Sequence, residues 1–98
     1  MRCIFSDRSE KDLEDIGDFI AQDSPQRALS YTQELRAYCR KIAQTPKIRR
    51  VVAHLGGQLL RKALFGNYQI YYALLDDGDG VEIVHIRHGA RQDPEFMK

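Results

Sequence analysis

"LLRKALFGNYQIYYALL", residues 59–75, decides the fold. Gly66-Asn67 stands between two runs rich in apolar and aromatic residues. A two-residue link with Gly first is what a type II′ hairpin turn requires. Leu59–Phe65 and Tyr68–Leu75 are therefore expected to pair antiparallel. That turn sets the register: Phe65 opposite Tyr68, Ala63 opposite Ile70, Arg61 opposite Tyr72, and Leu59 opposite Leu74.

Working outward, "DDGDG" at 76–80 makes the next turn, and Val81–Arg87 reads as the last strand. On the other side, residues 47–57 show no periodicity and end in Gly-Gly, so they read as a basic loop. Further upstream, Ala28, Thr32, Leu35, Cys39 and Ile42 recur at spacings of four and three, the stripe of an amphipathic helix. Ser24 caps that helix, Pro25 takes its first position, and Pro46 ends it near Thr45. An earlier helix follows Ser6 or Ser9. Its first turns are crowded with Glu10, Asp12, Glu14 and Asp15, and acids suit the positive end of the helix dipole. Leu13, Ile16 and Ile20 share one of its faces, and Gly17 points to close packing. Residues 2–5 read as a short strand. The order is β-α-α-β-β-β in a single domain over 1–98: an α+β fold with a helical hairpin packed on an antiparallel sheet.

Alternation sorts the central hairpin into two faces. Leu59, Arg61, Ala63, Phe65, Tyr68, Ile70, Tyr72 and Leu74 form the face under the helices. Arg61 is the odd member, and Asp12 or Asp15 is its expected partner unless it reaches solvent at the sheet margin. Leu60, Lys62, Leu64, Gln69, Tyr71, Ala73 and Leu75 form the other face. That face is too apolar to be solvated, and it is expected to receive an amphipathic peptide or an added strand from a partner.

Composition narrows the function classes. With 43% hydrophobic and 30% charged residues, the chain is too apolar for disorder. No apolar run approaches the ~20 residues of a membrane span, and the first residues lack a signal-peptide pattern, so a cytoplasmic setting is expected. Cys3 and Cys39 read as buried free thiols. Zinc is not expected, because the cysteines lack paired spacing and His85-x-x-His88 would point to different faces of a strand. No phosphate-binding glycine loop is present, so no cofactor is expected. The net charge of +1 says little, but its distribution says more. From Pro46 to Leu75 there is no acid, and Lys47, Arg49, Arg50, Arg61 and Lys62 stand unopposed, which suits an anionic partner.

"KDLEDIGDFIAQDSPQRA" (11–28) and "LLRKALFGNYQIYYALLDDGDGVEIVHIRHGAR" (59–91) together resemble the ParE branch of the ParE/RelE superfamily of bacterial toxins. The resemblance spans roughly residues 6–92. It rests on the helix junction, the "LR…G.Y.I.Y" hairpin and the terminal "EI..I.HGAR". It implies the fold derived above and a toxin of a type II toxin–antitoxin system of the plasmid-stabilisation kind, bound by a cognate antitoxin in a hetero-oligomer. ParE-like members are associated with inhibition of DNA gyrase and growth arrest. RelE-like members cut messenger RNA on the ribosome.

The residues favour the first activity. RNA cleavage needs the 2′-OH activated, the leaving oxygen protonated and the phosphate charge held by cations. RelE-like sequences usually carry an Arg after the Tyr that follows the hairpin turn; here that position is Gln69. They carry basic residues alternating along the preceding strand; here only Lys62 does, between Leu60 and Leu64. They often end in Arg followed by Tyr; here Arg91 is present, but the nearest aromatic is Phe96. A nuclease would have to work with Lys62, His88 and Arg91, and His88 belongs equally to the ParE-like signature. The expected antitoxin contacts are Leu60, Lys62, Leu64, Gln69, Tyr71 and Ala73. The expected gyrase contacts are Arg49, Arg50, Arg87, His88, Arg91 and Phe96, without sequence-specific nucleic-acid binding. A third reading is a non-toxic module that only sequesters an antitoxin.

Overall fold

The structure, a computed structural model, describes residues 1–89. β1 (Arg2–Phe5) leads into α1 (Asp7–Ala21) and α2 (Pro25–Ile42). Then come β2 (Val51–Leu55), β3 (Gln58–Phe65), β4 (Tyr68–Leu74) and β5 (Gly80–His88). Ser6 is the residue that caps α1: its Oγ accepts the Ser9 N–H at 3.0 Å, with Asp7 and Glu10 in the first turn. Ser24 does the same for α2, accepting the Arg27 N–H at 3.1 Å ahead of Pro25. Arg40 and Lys41 close its last turn, where cations suit the negative end of the dipole. The linker is short, so the two helices pack along each other and lie on the sheet as a pair.

The sheet order is β1-β5-β4-β3-β2. The central hairpin has the expected register, with Phe65 opposite Tyr68, Ala63 opposite Ile70 and Arg61 opposite Tyr72. Gly66 has φ +56 and Asn67 does not adopt positive φ, in keeping with a type II′ turn.

Two features differ from the sequence reading. Residues 51–55, read as loop, form an edge strand antiparallel to β3, and Gly56-Gly57 is its hairpin turn, with φ +55 and +83. β1 also runs parallel to β5, so the sheet is mixed at that edge. The approach there is close: a Cβ on Gly80 would lie 1.9 Å from the Arg2 carbonyl oxygen.

The main core lies between helices and sheet. Leu13 and Ile16 of α1 and Leu35, Cys39 and Ile42 of α2 meet Ala63, Ile70, Tyr72, Val81, Ile83 and Ile86. The face assigned to the helices by alternation is the one they cover. Phe65, Tyr68 and Leu74 pack at its margin, while Leu59 is exposed. Gly17 faces Thr32 of α2, but an added Cβ would meet that side chain at 3.4 Å, ordinary contact. Close helix packing does not force glycine here.

Candidate functional site

The register separates the residues a nuclease would need. Lys62 lies opposite Tyr71 and shares its outward face. His88 lies opposite Tyr68, and the two rings meet edge-on with centroids 5.4 Å apart. Because β4 alternates, Tyr68 and Tyr71 point to opposite sides, so Lys62 and His88 do too. Arg91 and Phe96 lie outside the described residues. His88, Tyr68 and Ile86 instead line a groove of about 270 Å³ beside α1, with Ile16, Phe19 and Asp15 on its other wall.

The outer face is less open than alternation suggested. Leu60, Tyr71 and Ala73 are 0%, 0% and 2% exposed. Leu60 and Ala73 form a small second core with Ala53, and Val52 and Val84 pack against it. Val52 and Ala53 belong to β2, which is why a reading that treated 51–55 as loop left this face bare. Tyr71 stacks on His85, with centroids 6.1 Å apart, and its hydroxyl donates to Gln69 Oε1 at 2.9 Å. Of the six residues expected to meet an antitoxin, Leu64 is well exposed, Lys62 and Gln69 are half-buried, and the other three are buried.

The basic middle of the chain is organised by neutral partners. Of the two outcomes expected for Arg61, pairing with Asp12 or Asp15 does not occur, and the side chain stays partly exposed. Its guanidinium donates to the carbonyls of Lys47, at 3.3 Å, and Arg49. Tyr72 Oη donates to the Pro46 carbonyl at 2.8 Å. Arg49 donates to Tyr38 Oη at 3.1 Å and leans over that ring. These bonds pin the turn between α2 and β2. Lys47, Ile48 and Arg50 are left outside and Arg49 half inside. Of the other expected gyrase contacts, Arg87 is buried and His88 half-buried.

Asp12 is occupied elsewhere. Its Oδ2 accepts from His85 Nδ1 at 2.6 Å and from the Ile86 N–H at 2.9 Å, while Oδ1 lies 3.4 Å from Arg8 Nε. The Arg8 guanidinium also comes within 3.4 Å of His85 Nε2. Burial works against the charge on Asp12. The hydrogen bonds from His85 and Ile86, with the nearby Arg8, outweigh it and hold the carboxyl below its usual range. The arrangement clasps α1 to β5 where β1 has ended. Sequence inspection missed it because the partners are 73 residues apart. Of the two free thiols, Cys39 is buried, which pushes it up to about 12, and Cys3 is partly buried. Among the described residues no group of three His, Cys, Asp or Glu side chains could hold a metal, and no helix is long and apolar enough to cross a membrane.

Residues 3–93 match the family model described as the ParE toxin of the type II toxin–antitoxin system parDE. No curated protein matches the sequence. Among solved structures, the fold is similar to one titled the chromosomal ParDE TA system from P. aeruginosa. The TM-score is 0.71 at 15% identity, over 90% of this chain and 95% of that one.

Proposed function

The chain belongs to the ParE toxin family of type II toxin–antitoxin systems, and from that premise we propose that it arrests growth in the bacterial cytoplasm by binding DNA gyrase, without covalent chemistry, until a cognate antitoxin covers it. The observation that carries the non-enzymatic reading is the placement of Lys62 and His88 on opposite faces of the sheet. General acid–base catalysis on RNA needs both within reach of one phosphate. The positions where RelE-like toxins concentrate cations hold Leu60, Leu64 and Gln69 here.

Gyrase docks on the pinned basic turn through Arg50, with Arg49 held against Tyr38, and on the end of β5 at His88. The antitoxin meets the outer face at Leu64, Lys62 and Gln69, with Leu60, Tyr71 and Ala73 supporting that surface from within. No cofactor enters this account.

Induced expression in a bacterial host tests it. Growth and DNA synthesis stop while bulk messenger RNA stays intact, and co-expression of the antitoxin restores growth. Rapid messenger RNA decay, abolished by His88→Ala in a protein that still folds, would replace this reading with the ribosome-dependent nuclease. Unaffected growth, from folded protein that binds the antitoxin, would leave only the sequestering module.

A further inference from the structure

β1 is a four-residue strand at the end of the sheet, and it pairs with β5. Its alternation sends Arg2 and Ile4 outward, while Cys3 and Phe5 pack against the main core. Cys39 lies in that core with 0% exposure, on the face of α2 that meets the sheet. These are the two cysteines of the chain, and both are free thiols.

The packing of β1 on α2 brings one thiol to the other. The Arg36 guanidinium lies over Phe5, with its Cζ 5.1 Å from the ring centroid. From there, two residues back along β1 cover ~6.6 Å. Three to four residues onward along α2 cover ~5–6 Å. The two steps match, and they lead from Phe5 to Cys3 and from Arg36 to Cys39 and Arg40. The Arg40 charge is felt by both thiols, and Cys39 feels Cys3. α-Carbons of β1 and α2 come within 8 Å of each other, close to the ~4.4–6.8 Å that disulfides span.

We propose that Cys3 and Cys39 form a redox latch, which an oxidised small-molecule disulfide closes into a bond that fastens β1 to α2. Cys3 is partly exposed and meets the oxidant first. Its thiolate attacks one sulfur of the small disulfide, forming a mixed disulfide and releasing one small thiol. The Cys39 thiolate then attacks the Cys3 sulfur and expels the second. The two protein thiols give up two electrons and two protons, and the oxidant leaves as two reduced thiols. Burial pushes both protein thiols up, Cys39 to about 12, with Cys3 adding to that rise. The thiolate is the nucleophile, so closure is slow at neutral pH and faster in base. In a reducing compartment the latch stays open, and oxidative load closes it. The closed loop takes in all of α1 and most of α2, so the bond restricts the unfolded chain and steadies the fold. The latch stands apart from the gyrase reading and bears on how long the folded chain survives.

The test incubates the purified, folded full chain with oxidised glutathione at neutral and at alkaline pH. Intact mass, a non-reducing peptide map and thermal unfolding are the readouts. The expected product is a monomer lighter by two hydrogens, with the Cys3 and Cys39 peptides joined. It forms faster at the higher pH and reopens with dithiothreitol. Closure raises the thermal midpoint by roughly 10 °C. Cys3→Ser, the control for the map, shows neither change. A mixed disulfide that stays on Cys3, or a dimer joined through Cys3, with Cys39 still reduced, overturns the proposal. So does a Cys3–Cys39 bond that forms only in urea-unfolded chain, or one that lowers the midpoint, because the native packing would then not bring the thiols together.

Discussion

Two regions of the sheet, around β5 and around β2, use charge in opposite ways. Beside β5, Asp12 is surrounded by donors: His85, the Ile86 N–H and Arg8. That cluster joins the first helix to the last strand, and its charges are consumed in holding the fold. Beside β2, Lys47 and Arg50 face outward from a turn whose shape is set by hydrogen bonds from Tyr72, Arg61 and Arg49. There the fold supplies the geometry and leaves the charge available. Satisfied charge at the first place holds the fold, while at the second the cations stay exposed on a pinned backbone.

The contrast can be broken from the largest effect downward. Tyr71 is fully buried on the outer face, so Tyr71→Asp places an uncompensated carboxylate where exposure is 0%. A loss of about 4 kcal/mol or more is expected, enough to unfold many domains of this size. Urea denaturation measures it, and a small loss would mean this face opens readily. Asp12→Ala strands His85 and the Ile86 amide, and the expected cost is ~2–3 kcal/mol. A change within experimental error would deny the clasp its structural role.

Acid sharpens the same point. The Asp12 carboxyl titrates lower in the folded chain than its ordinary value of 3.8. A depressed carboxylate stabilises the fold above its unfolded value and loses that contribution as pH falls through its folded one. Stability should therefore decline below about pH 4, and the Asp12→Ala variant should show a shallower decline. Equal slopes would assign acid sensitivity to other carboxylates. At the opposite edge, Lys47→Glu/Arg50→Glu should leave unfolding free energy within ~0.5 kcal/mol. A larger loss would show that these cations hold structure after all.

The parts of the fold legible in sequence are those written locally. Gly66-Asn67 set the hairpin register, Ser24-Pro25 marked a helix start, and spacings of three and four exposed the α2 stripe. β2 escaped notice because "VVAHL" is five residues long, follows a basic turn without periodicity, and ends in Gly-Gly, which serves loops and hairpin turns alike. The sides of β5 were illegible for a different reason. Tyr71 lies opposite His85 while Tyr72 lies opposite Ile83, so Val84 is an extra residue. This bulge reverses the alternation, and no local pattern of Ile83, Val84 and Ile86 announces it. The same shift sends His85 outward to Tyr71 and His88 inward to Tyr68. The Asp12–His85 pair was invisible because it depends on packing between distant segments.

The proposed activity of this ParE-family chain is binding to gyrase rather than cutting of RNA. A gyrase supercoiling assay with purified, folded protein, with and without a twofold excess of antitoxin, tests it most directly. Inhibition of supercoiling that the antitoxin relieves is the expected result. Full supercoiling activity at every toxin concentration, together with cleavage of messenger RNA on translating ribosomes, would contradict it.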